Sequence, residues 1–246
     1  TIASSEMRTP WCFSIGARMP RSMKQQRPAT IANGRLVTPD GLREGTLRLV
    51  DGMIDAIDAP AQDVDEIIDA NGALVAPGLV DLGVFAIDKP AFHFGGITRA
   101  ALMPDQSPPL DLPSRVSYIA KSGKPDFWVH PLAAATRGLD GCEIAELGLM
   151  REAGARGVAT GRRWIADSGV MLRLLQYAAM LDLVVVAHAE DAALVGSAVA
   201  TAGEIATRRG LPSAPVQAEA LALARDIALA EMARARIHFR QVTTRA

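Results

Sequence analysis

Two different periods of apolar residues divide the chain. Between residues 29 and 75 the apolar positions come in short alternating runs broken by turn residues: Thr30-Ile31-Ala32-Asn33, Leu36-Val37, a Pro39-Asp40-Gly41 turn, Thr46 to Val50, an Asp51-Gly52 pair, Met53 to Ile57, and Ile67-Ile68. Alternation punctuated by Asp-Gly predicts a small layer of β-strands joined by hairpins. From residue 76 onward, short apolar runs that read as fully buried strands alternate with longer segments of helical spacing, the pattern of βα units on a parallel sheet. Strands are predicted at 79–84, 97–103, 127–132, 157–160, 183–187 and 237–242. The clearest helices fall at 143–153, 168–181, 192–208 and 216–234, the first and third ended by Gly154 and Gly210. In the last of them Leu221, Ala224, Ile227, Ala228 and Met232 recur at helical spacing.

Six strands fall short of the eight that close a (β/α)8 barrel. The expected fold is therefore α/β, an incomplete barrel belonging to a longer protein, with a complete, open doubly wound sheet as the alternative. An open barrel leaves unpaired strand edges, so association into an oligomer is expected. Residues 1–28 carry Arg8, Arg18, Arg21, Lys24 and Arg27 against a single acid, Glu6, and begin with Thr1. They read as a basic, disordered upstream extension, with Met23 as the natural start, because a secretory leader would need an apolar core that this segment lacks. The expected division is 1–28 extension, 29–75 β layer and 76–246 partial barrel.

Composition narrows the function classes. With 49% apolar and 22% charged residues and a net charge of −1, the 246-residue chain is an ordinary globular protein with no basic footprint for nucleic acid or an anionic membrane. The apolar run Leu183 to Ala187 is far too short to span a bilayer. Cys12 and Cys142 are far apart and form neither a disulfide framework nor a zinc knuckle, which fits a reducing cytoplasm.

Several blocks, in order, carry a resemblance. Ile31 to Val37 with Asp51 to Ile54 and Ala76-Pro77-Gly78-Leu79-Val80-Asp81 open the series. Met103-Pro104-Asp105, Pro131 to Gly138, Ala187-His188-Ala189-Glu190-Asp191, Arg225 to Leu229 and His238 to Thr244 follow. Together they resemble the dihydroorotases of the amidohydrolase superfamily. The resemblance implies an amidohydrolase-type (β/α)8 barrel, about six strands of which are present here, with an N-terminal β-sandwich portion. It also implies hydrolysis or closure of a cyclic amide, with zinc polarising the amide carbonyl and lowering the pKa of bound water, and a carboxylate moving the proton.

The positions that carry that chemistry are mostly changed. The His-x-His pair after the "APGLVD" words is Gly83 and Phe85, and the fourth-strand ligand falls near Thr160 or Gly161. The sixth-strand histidine is Gln241, and the catalytic aspartate of the family lies beyond Ala246. His188 alone remains as a metal ligand, since zinc takes imidazole, thiolate or carboxylate donors. The substrate-gripping arginine aligns with Ile87, and the asparagine of the family's "MPN" is Asp105, which repels an anion. No catalytic residue is assigned, and zinc is expected to be absent or weakly bound. The structural reading of His93, His130 and His238 is preferred over a rebuilt site of His93, His188, Asp105 and Asp191. Arg162 and Arg163, beside Trp164, form a basic pair just past the fourth strand that suits an anion by charge-assisted hydrogen bonds; a solvated pair, with Trp164 packed on the rim, is the alternative. The resemblance further implies a non-catalytic subunit that assembles with aspartate carbamoyltransferase in pyrimidine synthesis, or else an active cyclic amidohydrolase with an atypical site.

Overall fold

The computed structural model describes residues 28–51, 53–124 and 127–245. The basic segment at 1–28, apart from Pro28, lies outside the described residues, as do Cys12 and Gly52 of the expected Asp51-Gly52 turn. The chain forms two compact units. One takes the described residues up to Asp81 with Asp88–Arg99 and Gly123–Trp128, and the other takes Leu82–Ile87, Ala100–Ser122 and Val129 onward.

The first unit is built on a five-stranded sheet: β1 (Ala29–Thr38), β2 (Gly41–Val50), β3 (Met53–Ile57), β4 (Glu66–Asp69) and β5 (Leu74–Val75). Hairpins pair β1 with β2 and β2 with β3 antiparallel, whereas β4 and β5 run parallel to β1. Ile31, Leu36, Leu47, Ala70 and Val75 are buried together, with Leu49, Ile54 and Ile68 packed on them. Arg48 breaks the expected alternation, being buried next to Leu47. A buried guanidinium needs counter-charge and acceptors, and Asp65 supplies both. Arg48 Nε donates to Asp65 Oδ2 at 2.9 Å and Nη2 to Oδ1 at 3.1 Å, while Thr30 Oγ1 donates to the same carboxylate at 2.7 Å. The Arg48 hydrogen bond, opposed by desolvation and helped by the Gln62 N–H and Thr30, holds the Asp65 carboxyl at about 2, below its ordinary 3.8.

The chain continues through β6 (Leu79–Val84), α1 (Lys89–Phe94), β7 (Ile97–Leu102), α2 (Pro113–Lys121), β8 (Trp128–Ala134), α3 (Leu147–Glu152), β9 (Gly157–Ala159), α4 (Ser168–Met180), β10 (Val185–His188), α5 (Ala192–Val195), β11 (Ala200–Thr201), α6 (Glu204–Arg208), β12 (Ser213–Ala214), α7 (Gln217–Ala233) and β13 (Ile237–Arg240). Six strands line up in chain order, β6-β7-β8-β9-β10-β13. A doubly wound sheet reverses its order at a switch point; this sheet does not, and its strands form a curled parallel half-barrel. Its inner face buries Met103, Leu132, Ala159 and Val186 against Phe85 and Ala101. On the outside, α4 buries Val170, Met171, Leu174, Leu175 and Ala178, each large side chain contributing about 1.5–3 kcal/mol by leaving water. Asp167 caps α4 by accepting from the Val170 N–H.

Several elements differ from the sequence expectation. The helix expected over 143–153 begins only at Leu147, because Ile144 is held in an antiparallel bridge to Thr136. The helix expected over 192–208 is two short helices separated by β11, which pairs with β12; Gly196, at φ 54° and ψ −124°, ends the first. His93 lies in the short helix α1, which the sequence reading did not include. In α7 the expected apolar stripe points outward, leaving Leu221 58% and Met232 70% exposed. The buried stripe carries Ala218, Glu219, Ala222, Asp226 and Ala230: α7 is apolar nearly all round, so two hydrogen-bonded carboxylates and small alanines decide which side faces α4. Among the described residues no helix is long and apolar enough to cross a membrane.

The Asp65 carboxyl is depressed on folding, so the stability it contributes is fully present above its unfolded value near 3.8 and is lost as pH falls through about 2. In thermal melts between pH 5 and about 2, Asp65→Asn is expected to start less stable than the parent. The gap should close toward the acid end, and a gap that stays constant would show that Asp65 is not the titrating group.

Candidate functional site

Parallel strands bring their C-terminal ends to one edge of the sheet, where barrel enzymes assemble their chemistry. In the second unit that edge collects Phe85 after β6, Asp105 and Gln106 after β7, Thr160 to Arg162 after β9, His188 to Glu190 at the end of β10, and Arg240 and Gln241 at the end of β13. Side chains two apart on a strand share a face. Val186 belongs to the inner cluster, so His188 also faces inward, and Arg240, the register partner of His188 on β13, faces inward with it.

The backbone of the edge is firmly held. The Met103 N–H donates to Val84 O at 2.8 Å, and Gln106 Nε2 donates to Phe85 O and Met103 O, both at 3.0 Å. The His188 N–H donates to Thr160 Oγ1 at 3.0 Å. Trp164 is tied to α7: its Nε1–H donates to the buried Asp226, and the Arg225 guanidinium lies 3.9 Å from its ring centroid while donating to Ile165 O and Ala166 O. Burial pushes the Asp226 carboxyl up, against the pull of Arg225 and Trp164. This clamp fixes the loop that carries Arg162. On the far side, Glu219 accepts from the N–H and the hydroxyl of both Thr243 and Thr244, at 2.7–3.0 Å. Desolvation opposes ionisation of Glu219, and these threonine donors outweigh it, so its carboxyl lies below the ordinary value.

At the centre stands Phe85. The Arg162 guanidinium lies 4.1 Å from its ring centroid and the Arg240 guanidinium 4.9 Å. Gly83 lies beside Arg240: a Cβ there would sit 3.3 Å from Arg240 Nε, a close contact. The positions that the resemblance gives to a His-x-His pair thus hold a gap and an aromatic plate for a guanidinium. Asp105 Oδ1 accepts from the Arg162 N–H at 3.0 Å, while its Oδ2 is buried without a hydrogen-bond partner among the described residues.

The zinc implied by the resemblance does not fit this donor set. A zinc site needs three or four nitrogen, sulfur or carboxylate donors converging on one point. His188 Nε2 instead lies 3.3 Å from Glu190 Oε2, Asp191 caps α5, and among the described residues no three His, Cys, Asp or Glu side chains gather for a metal. Of the alternative site, His188, Asp105 and Asp191 form no metal-holding group among the described residues. Of the basic pair, Arg162 stacks on Phe85 and Arg163 is exposed. His238, expected in a buried strand, is exposed, since β13 is an edge of the sheet. The sequence reading missed Arg240. The signal was present in the joint loss of both first-strand histidines, for a position that exchanges a ligand for glycine makes room for something larger.

A family model described as "Dihydro-orotase-like" matches residues 72–246. The dihydroorotase of Pelotomaculum thermopropionicum is 37% identical over 231 residues, covering 87% of this chain and 54% of that protein. The dihydroorotase of Syntrophotalea carbinolica is 39% identical over 235 residues, covering 87% and 55%. Among solved structures, an L-hydantoinase (dihydropyrimidinase) from Arthrobacter aurescens superposes with a TM-score of 0.70 at 25% identity, over 87% of this chain and 52% of that one. The chain spans about half the length of the curated relatives it matches.

Glu219 ties the segment after β13 to α7, so Glu219→Ala is expected to release it. Hydrogen exchange at Thr243 and Thr244 should rise by about tenfold or more, as for the loss of charge-assisted hydrogen bonds, with α4 unchanged. Unaltered exchange at both threonines would contradict the clasp.

Proposed function

The chain belongs to the dihydro-orotase-like family, and from that membership we propose that it is a non-catalytic dihydroorotase-like homologue of pyrimidine biosynthesis, acting as a structural partner of aspartate carbamoyltransferase. The observation that carries this reading is the donor set at the sheet edge, where Gly83, Phe85, Thr160 or Gly161, and Gln241 stand at the positions that the resemblance gives to metal ligands and His188 turns to Glu190. In the family, zinc supplies the Lewis acid and the activated water. Without donors to hold it, a cyclic amide meets only guanidinium groups, which bind anions but deliver no nucleophile. A partner role draws support from the outward face of α7, where Leu221, Ala224, Ala228 and Met232 form one exposed apolar stripe. Contiguous apolar surface of this kind is typical of contact with another protein.

A second reading, an active cyclic amide hydrolase, is favoured by the retained His188 and Glu190 pair and by the dihydroorotase name of the relatives. Turnover separates the two. Purified chain given dihydroorotate, with and without added zinc, is expected to form no N-carbamoylaspartate above the buffer rate and to co-elute with aspartate carbamoyltransferase on size exclusion. Leu221→Glu with Met232→Glu should abolish co-elution. Zinc-dependent turnover lost in His188→Ala would overturn the non-catalytic reading, and failure of the two proteins to associate would overturn the partner.

A further inference from the structure

We propose that the open face of the sheet in the first unit, at Arg35, Val37, Leu42, Glu44 and Leu74, is a two-fold interface with a second copy of this chain. The surface is separate from α7 and from the strand ends of the second unit, and it depends on neither reading of their function.

Register fixes which side chains meet on this face. Leu36 belongs to the buried cluster of the sheet, so its neighbours Arg35 and Val37 on β1 point the other way. Residues directly opposite on paired strands share a face. β2 therefore sets Glu44 beside Arg35 and Leu42 beside Val37, and β5 sets Leu74 on the other side of Arg35. The face is open: Val37 is 40%, Leu42 62% and Leu74 55% exposed, and Arg35 and Glu44 are exposed with them. In the adjoining row Gly34 lies opposite Gly45, and a hollow of about 410 Å³ is lined by both glycines with Arg35, Glu44 and Thr46. An open sheet face with apolar residues and a concavity is suited to contact with another protein.

The charge pattern selects the occupant. One cation and one anion stand side by side; Arg35 donates through Nε to Gly72 O at 3.0 Å and, among the described residues, forms no ion pair with Glu44. A partner surface carrying a single sign of charge would satisfy one of the two and repel the other. A second copy satisfies both. With a two-fold axis in the interface plane, running along the strands between β1 and β2, β1 of one copy lies over β2 of the other. Arg35 then faces the partner's Glu44 and Glu44 the partner's Arg35, while Val37 and Leu42 meet across the same axis. Such a contact is self-complementary and closes after two chains, and near-aligned packing of two sheets is the ordinary geometry of a β-sandwich. A guanidinium facing a carboxylate adds directional hydrogen bonds to the attraction.

The experiment is sedimentation equilibrium of the full chain over a range of concentrations. An interface of this small size is expected to give a monomer–dimer equilibrium with a Kd on the order of tens of micromolar. Arg35→Glu and Glu44→Arg should each weaken self-association by about tenfold or more, because like charges then meet twice across the axis. Mixing the two variants should restore a dimer, since each supplies the charge that the other lacks, and the chain carrying both substitutions should dimerise like the parent. Leu42→Ser should weaken the dimer with every charge in place. Circular dichroism of each variant establishes folding, and restoration in the mixture is a result that damage to a merely structural residue does not give. Association through unpaired strand edges would instead persist in Arg35→Glu. A parent that stays monomeric throughout the range, self-association unaltered by either charge reversal, or no restoration in the mixture would overturn the interface.

Discussion

Stacking of two guanidinium groups on the ring of Phe85 decides what the open end of this half-barrel can be. Each contact is worth only about 0.5–2 kcal/mol, yet together they set the sign of the local charge. Where the fold elsewhere gathers lone pairs around a dication, this chain places fixed cations on an apolar plate. A zinc ion needs nitrogen, sulfur or carboxylate donors, and Gly83 and Phe85 supply none.

The rest of the second unit serves to hold that arrangement. Arg162 is positioned from below by Asp105 and from the side by the loop that Arg225 and Asp226 lock to α7 through Trp164. Arg240 stands at the end of β13, and the segment that follows is tied to α7 by Glu219. Two carboxylates on one helix, seven residues apart, thus anchor the two segments flanking the guanidinium pair. Their burial explains why α7 turns an alanine and carboxylate stripe inward and leaves Leu221 and Met232 in water.

Much of this architecture is legible in the sequence, and what is not has identifiable reasons. The six barrel strands read correctly because buried runs such as Val185-Val186-Ala187 have few other fates, and the Asp-Gly hairpins of the first unit follow from turn chemistry. The face of α7 misleads, since periodicity weighs hydrophobicity and cannot see that Glu219 and Asp226 find their partners indoors. The helix expected over 192–208 ignores Gly196, whose φ of 54° and ψ of −124° end α5 before β11 pairs with β12. At the site, the missing ligands at Gly83 and Phe85 are visible one by one. Their replacement is not, because Arg240 lies 157 residues from Gly83, and only the closing of the sheet brings them together.

The central claim, that fixed positive charge has replaced a metal at this edge, is tested most directly by counting zinc. Equilibrium dialysis of the purified chain against micromolar zinc, followed by elemental analysis, is predicted to leave the protein with no stoichiometric metal, and the His188→Ala variant with the same content as the parent. One zinc ion retained per chain, and lost when His188 is replaced, would contradict the account.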